Sequence, residues 1–234
     1  MNEFDKEYNN LNVESIDTTQ QMAGVFGWMF VGLLISAVCA FYVASTPNFA
    51  YNIFATNLYW VLFIAEFGLV IALSTMINKL SNITMSIMFI LFSIVNGLTL
   101  SVIFYVFELQ SIFLCFIVAA GMFGSMALYG LVTKKDLTTL GAFFTMGLFG
   151  LIIATVTNLF LKNAMMDILL SITGIVIFVA LTAYDTQKIK NYMLNAQEDN
   201  RLIGNIKIYG ALSLYLDFIN IFLKLLRLFG KGKK

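Results

Sequence analysis

Long apolar runs separated by short polar breaks repeat along the chain from about residue 22 onward. Crossing the roughly 30 Å hydrocarbon core of a bilayer takes about 20 mostly apolar residues, and long runs without strand-like alternation favour helices. Six runs meet this requirement. They predict membrane-spanning helices at about 22–45, 57–78, 83–106, 111–132, 138–161 and 167–188.

A seventh apolar segment, at about 206–229, differs because it contains Lys207, Asp217, Lys224 and Arg227. Lipid accepts such a helix poorly at the periphery, so we expect the other six to enclose it. The sequence therefore predicts an all-α fold, a polytopic membrane helical bundle in which six transmembrane helices surround a more polar seventh. The predicted organisation is an acidic cytoplasmic tail (1–21), the bundle (22–229) and a basic C-terminal tail (230–234).

The composition supports a membrane protein and excludes several functional classes. Apolar residues make up 60% of the 234 positions and charged residues 12%, against about 25% charged in a typical soluble domain. A net charge of +1 gives no reason to expect nucleic acid. The predicted partner is the lipid bilayer, with the basic tail contacting anionic headgroups. With no histidine in the chain, any pH response must come from carboxylates.

The distribution of Lys and Arg predicts the orientation. If the N-terminus is cytoplasmic, the outside connections carry Lys162 alone. The inside connections carry Lys79, Lys134, Lys135, Lys188, Lys190 and Arg201. Seven full crossings would place the basic C-terminal tail outside. The tail therefore agrees with this orientation only if the last segment is re-entrant. The short connections point to a bacterial inner membrane.

Three carboxylates lie within the predicted spans: Glu66, Asp185 and Asp217. Burying an ionisable group in a membrane costs a few kcal/mol, so each marks a candidate functional site. Asp217 also belongs to a polar stripe with steps of three and four residues, the spacing of one helical face. The stripe consists of Gly210, Ser213, Asp217, Asn220 and Lys224.

Turned toward the bundle centre, this stripe would form an oxygen-rich site with Asp185 and Glu66 in the cytoplasmic half of the membrane. Such a site suits a hard cation, and we expect Asp185, Asp217 and Glu66 to hold calcium transiently. Two neighbouring carboxylates titrate as a unit, which would couple cation passage to pH. Full ionisation would either open the bundle by repulsion or draw a carboxylate onto a lysine such as Lys224 and close it.

Other polar and small residues predict packing contacts. We expect Ser86, Ser93 and Asn96 to act mainly as hydrogen-bonding links between helices. Small residues at four-residue spacing predict close helix approach. They are Gly32, Ser36 and Ala40 in the first span, Gly121 and Ser125 in the fourth, and Gly150 and Ala154 in the fifth.

Several motifs together resemble the Bax inhibitor-1-like family (transmembrane Bax inhibitor motif). The most specific are Tyr184-Asp185-Thr186-Gln187 and the segment Leu-Tyr-Leu-Asp-Phe-Ile-Asn at 214–220. Ala-Glu-Phe-Gly at 65–68 and Asn-Gly-Leu-Thr-Leu-Ser at 96–101 also match, so the resemblance covers nearly the whole chain after the tail.

The resemblance implies a calcium-leak channel with a central seventh helix, in which Asp185 and Asp217 form the pH sensor and gate. It also implies that Glu66 lies near the ion pathway, to which we assign Ser213 and Asn220 from the polar stripe. Some family members have an arginine that latches onto the aspartates. Here Lys79 is the nearest basic substitute, and a lysine cannot reproduce the two-pronged guanidinium contact. We therefore treat Lys79 and Lys224 as candidate latches.

Two other functions are compatible with the sequence. The resemblance also permits a non-conducting modulator that binds a membrane protease or a stress-response protein. Intramembrane aspartyl proteases likewise use two aspartates on adjacent helices, but they place a glycine beside the second one, where this chain has Leu216 and Phe218 around Asp217. We therefore expect no enzymatic activity, no resident cofactor, and calcium as the transported ion.

Overall fold

The computed structural model describes residues 3–46, 58–196 and 199–233, with side chains from residue 18 onward. Six helices in these ranges are long and apolar enough to cross a membrane, which confirms the six predicted spans. A four-residue helix, Ile103–Val106, continues the third. The long helices are α1 (Glu3–Ser45), α2 (Leu58–Thr75), α3 (Asn82–Leu100), α4 (Leu109–Val132), α5 (Thr138–Leu161), α6 (Ala164–Asn195) and α7 (Asn200–Phe229).

The seventh helix, α7, forms the centre of the bundle, as the sequence predicts. Sixteen of its 30 residues are buried, whereas in α2 one residue, Leu73, is buried. It packs against α1, α2, α3, α4 and α6, while α5 packs on α6. Large apolar side chains remain exposed on the outer helices, including Ile64 and Phe160. This outer surface matches a lipid environment, and enclosure explains how α7 retains its charged residues.

The connection between α6 and α7 is shorter than the sequence predicts. We expect the sixth span to end near residue 188 and a flexible loop to include 195–201. Instead α6 continues to Asn195 and α7 begins at Asn200. The loop prediction is therefore wrong at both ends, because polar residues outside the bilayer extend both helices. Residues 197–198 lie outside the described ranges, as do 47–57 and the side chains of the acidic tail through residue 17.

Polar side chains define the beginnings of several helices. Ser81 accepts a hydrogen bond from the backbone N–H of Thr84. Asn163 and Asp199 each accept two such bonds at the starts of α6 and α7. This is the capping that free N–H groups in a first turn require. Before α5, hydrogen bonds from the hydroxyl and backbone N–H of Thr138 hold the pKa of Asp136 below its ordinary value. Asp136 therefore stays ionised into the acidic range.

The two ends of α7 lie at opposite ends of the bundle. Near its start, Asn205 donates to the carbonyls of Ile77 and Leu80 in the α2–α3 connection. Beyond its other end, Gly232 pairs with Phe107 between α3 and α4, and the N–H of Glu108 donates to the Lys231 carbonyl. An unbroken α7 thus runs the full length of the bundle. The re-entrant alternative is wrong, and the basic tail lies at the end opposite the α2–α3 connection.

Small residues allow close backbone approach, but only some of the predicted ones do so. A Cβ at Gly97 of α3 would lie 2.6 Å from the Ser36 carbonyl oxygen of α1, so the close approach predicted for the small residues of α1 is confirmed at Ser36. The same prediction is wrong for Gly121 and Gly150, where nothing described lies within 4 Å of a Cβ. In α4 the close approach occurs instead at Gly130, where a Cβ would lie 2.3 Å from the Ala183 carbonyl oxygen.

Gly130→Ala should therefore destabilise the bundle, whereas Gly121→Ala in the same helix should not. The new methyl at 130 meets the α6 backbone, which cannot rotate away, and overpacking of this kind costs about 1–3 kcal/mol. At 121 the methyl enters open space and improves helix propensity. Thermal unfolding of the two purified variants in detergent compares these effects directly. Equal melting temperatures would contradict the packing of α4 on α6.

Candidate functional site

Asp185 and Asp217 lie together at the contact between α6 and the middle of α7. The Ser213 hydroxyl donates to Oδ2 of Asp185 at 2.5 Å. Asp217 follows Ser213 by one helical turn, is 5% exposed, and interacts electrostatically with Asp185. Within the described part of the chain, Oδ2 of Asp217 makes no hydrogen bond. The structure therefore brings the two predicted aspartates together and leaves one carboxylate oxygen without a protein partner.

Lys188 lies one turn after Asp185 and places a cation near that carboxylate. It interacts electrostatically with Asp185. Its ammonium lies 5.6 Å from the ring centroid of Tyr184 and 5.7 Å from that of Tyr192, and it also contacts Tyr209. Aromatic faces attract a cation at such distances. The charge distribution places Lys188 only in an inside connection, although its i+3 spacing from Asp185 is visible in the sequence.

The two candidate latch lysines do not form ion pairs with the aspartates in this structure. Lys79 is exposed in the α2–α3 connection. Lys224 runs along Gly174 of α6 and interacts with Asp167 in the first turn of that helix. Among the described residues, Arg227 and Asp167 form an ion pair with a distance of 2.9 Å. Lys224 lies about two turns beyond Asp217 and is directed toward Asp167.

Glu66 belongs to a second polar network, formed where α2, α3, α1 and α7 meet. The Asn96 amide donates to one Glu66 oxygen, and Thr99 donates to the other at 3.2 Å. On its far side, Asn96 accepts from the Tyr215 hydroxyl at 2.6 Å. Ser36 lies 2.7 Å from the same hydroxyl. Tyr215 is fully buried, so the network connects Glu66 to the bundle centre.

This geometry corrects the expectation that Glu66 joins the aspartate pair. The part of the chain that the structure describes contains no group of three or more His, Cys, Asp or Glu side chains able to hold a metal ion. Ser213 and Asp217 lie four residues apart on one face of α7, and Tyr215, two residues from each, lies on the other. The carboxylates thus approach α7 from two sides, Asp185 on α6 and Glu66 on α2.

The remaining polar predictions have mixed outcomes. Asn96 links helices, as predicted. The hydroxyls of Ser86 and Ser93 instead donate to carbonyls of their own helix, so that prediction is wrong for both side chains. Asn220 donates to the Leu216 carbonyl of its own helix. Its place on the ion pathway stays a prediction, as does that of Ser213.

Comparison with known proteins gives consistent matches over nearly the whole chain. A family model described as "Inhibitor of apoptosis-promoting Bax1" matches residues 18–234. The inner membrane protein YbhL of Escherichia coli is 46% identical over 216 residues, covering 91% of this chain and 92% of that protein. A protein of Borreliella burgdorferi is 41% identical over 213 residues, covering 91% of this chain and 92% of that protein. The protein RP147 of Rickettsia prowazekii is 37% identical over 213 residues, with 91% and 89% covered.

Proposed function

We propose that this chain, which belongs to the Bax inhibitor-1-like family of membrane proteins, is a pH-sensitive calcium leak channel. Calcium is the transported substrate, and the aspartate pair between α6 and α7 serves as sensor and gate. The observation that carries the proposal is the position of Asp217. It lies on the central helix, nearly inaccessible and beside a second carboxylate, and its Oδ2 has no hydrogen-bond partner among the described residues.

The chemistry of this pair supports a site that responds to both protons and a hard cation. Carboxylate oxygens are the ligands that calcium prefers, and two adjacent carboxylates repel each other when both are ionised. A proton on either aspartate, or a divalent cation between them, relieves the repulsion. Protons and calcium therefore compete for the same oxygens, which links the state of the α6–α7 contact to pH.

Lys188 and Ser213 position Asp185 in this scheme. The serine hydroxyl fixes one carboxylate oxygen at 2.5 Å, and the lysine ammonium lowers the electrostatic cost of a charge there. Asp217 has no comparable support from the described residues. We infer that Asp185 anchors the pair and Asp217 exchanges its proton or cation. On the opposite face of α7, Glu66 would form a second carboxylate position along the ion pathway.

The location we propose is a bacterial inner membrane with the N-terminus in the cytoplasm. The name of the Escherichia coli relative, an inner membrane protein, supports the membrane. The basic residues at the α2–α3, α4–α5 and α6–α7 connections support the orientation. The basic tail lies at the opposite end of the bundle, where it would meet the headgroups of the outer leaflet.

Calcium efflux from liposomes tests this function. The purified chain is reconstituted, calcium is trapped inside, and its release is followed between pH 5 and pH 8. Empty liposomes measure the background, and liposomes with an unrelated helical membrane protein of similar size control for leaks caused by reconstitution. We expect efflux above both controls, with a rate that changes across this pH range. Efflux equal to the controls at every pH would refute a channel.

A further inference from the structure

A cleft of about 650 Å³ lies at the end of the bundle where α1 enters the membrane and α4 and α6 end. This volume falls within the roughly 300–1,000 Å³ typical of small-molecule sites. The cleft belongs to neither carboxylate network, because α1, α4 and α6 line it without Glu66, Asp185 or Asp217. It therefore calls for a separate explanation.

The polarity of the described lining falls with depth: its three polar residues lie at the outer end, beside Leu131, Val132 and Leu194, and the deeper lining is apolar. Thr18 and Thr19 lie at the outer end, together with Lys190 from the last two turns of α6. Phe26 lies about two turns deeper along α1, and Leu128 lies one turn inside the end of α4. A molecule that fits this gradient has a polar end facing the connections and an apolar end pointing into the membrane.

Lys190 supplies the one positive charge among the described lining residues, and a hydrogen bond holds its ammonium in place. Its ammonium donates to the Leu131 carbonyl at 2.9 Å, at the end of α4. That bond uses one of three ammonium protons, which leaves two for a ligand. Lys190 therefore places a positive charge inside the cleft that is complementary to an anionic group.

We propose that this cleft binds an anionic phospholipid. The phosphate contacts Lys190, and an acyl chain follows Met22, Phe26 and Leu128 toward the interior. Phosphate accepts charge-assisted hydrogen bonds from an ammonium group, and the apolar lining supplies the surface that a hydrocarbon chain needs. The bound lipid would join α1, α4 and α6 at the end of the bundle nearer to Asp185 of α6. This binding does not depend on whether the chain conducts calcium.

Native mass spectrometry of the full-length purified chain tests the proposal, using phosphatidylglycerol and phosphatidylcholine with identical acyl chains. We expect the native chain to prefer phosphatidylglycerol. Lys190→Gln should weaken phosphatidylglycerol binding about tenfold, the effect of losing one charge-assisted contact. It should weaken phosphatidylcholine binding less, because the choline ammonium of that lipid already offsets its phosphate charge. Lys135→Gln removes an equal charge from an exposed position outside the cleft and should change neither. Ala23→Phe, which narrows the cleft itself, should weaken both.

Three results would overturn the proposal. The first is equal binding of the two lipids by the native chain. The second is an equal loss with Lys190→Gln and Lys135→Gln, which would indicate a general surface charge. The third is a dimer that Ala23→Phe dissociates, which would assign the cleft to a second copy of the chain. Melting temperatures of all variants establish that they are folded.

Discussion

Asp217→Asn is expected to abolish the pH dependence of calcium efflux while the chain remains folded. Asparagine keeps the size of the side chain but neither ionises nor repels Asp185. Asp217 is 5% exposed and lies on the central helix that five other helices contact, so a change in its charge acts on the whole bundle. Efflux from liposomes at pH 5 and at pH 8 should become equal in the variant.

The matched control for this prediction is Asp167→Asn. Asp167 is an acid of α6, like Asp185, but it pairs with Arg227 near the end of the bundle opposite the α2–α3 connection. Its replacement should lower the melting temperature slightly and leave the pH profile of efflux intact. If Asp167→Asn and Asp217→Asn changed the profile to the same extent, overall charge rather than the aspartate pair would control the flux.

Asn96→Leu is expected to produce a large loss of stability. Asn96 donates to Oε1 of Glu66 and accepts from Tyr215, so leucine removes the donor to that oxygen and the acceptor of the Tyr215 proton, while Thr99 and Ser36 keep their contacts. Each unsatisfied group costs about 1–3 kcal/mol, and more when it is charged. Thermal unfolding in detergent should show a clear drop. Asn220→Leu is the control, since Asn220 bonds only to its own helix and should change the melting temperature little.

The same network predicts the outcome of Glu66→Gln. Four hydrogen bonds join Glu66, Asn96, Tyr215, Ser36 and the Ser93 carbonyl. With Glu66 ionised, one amide proton points to Glu66, the Tyr215 proton to Asn96 and the Ser36 proton to the Ser93 carbonyl, so three protons serve these four bonds. A glutamine at position 66 donates the fourth proton. The Asn96 amide must then be flipped, so that its oxygen accepts from the new amide and its nitrogen donates to Tyr215; both orientations fit the same heavy-atom positions. Glu66→Gln should therefore preserve or raise the melting temperature that Asn96→Leu lowers.

The sequence predicts the architecture because the membrane constrains it strongly. Twenty apolar residues in a row have few folded alternatives, and the charges of α7 exclude it from the lipid-facing surface. Asp185 and Asp217 could be paired for a related reason, since two acids on the last two helices of a bundle each need a polar neighbour. The ends of α6 and α7 were harder to predict, because outside the bilayer apolar patterning no longer limits helix length.

The contacts of Glu66 could not be predicted in the same way. Which face of α2 meets α3 depends on how both helices pack around α7, and that information is not contained in either helix alone. Tyr215 illustrates the difficulty. Within the motif 214–220 it reads as one more large apolar side chain, but its hydroxyl connects α7 to Ser36 and Asn96. The contact between Lys188 and Asp185 is different, because the sequence alone shows that the two residues are three positions apart on one helix.

The pH profile of calcium efflux for the native chain, Asp185→Asn, Asp217→Asn and the double variant tests the central claim most directly. Because the two aspartates titrate as a unit, removing either should have the same effect as removing both. We predict that all three variants share one flat profile between pH 5 and pH 8, while the native rate changes. A native-like profile in either single variant, or a double variant whose effect is the sum of the two, would contradict the aspartate pair as the sensor.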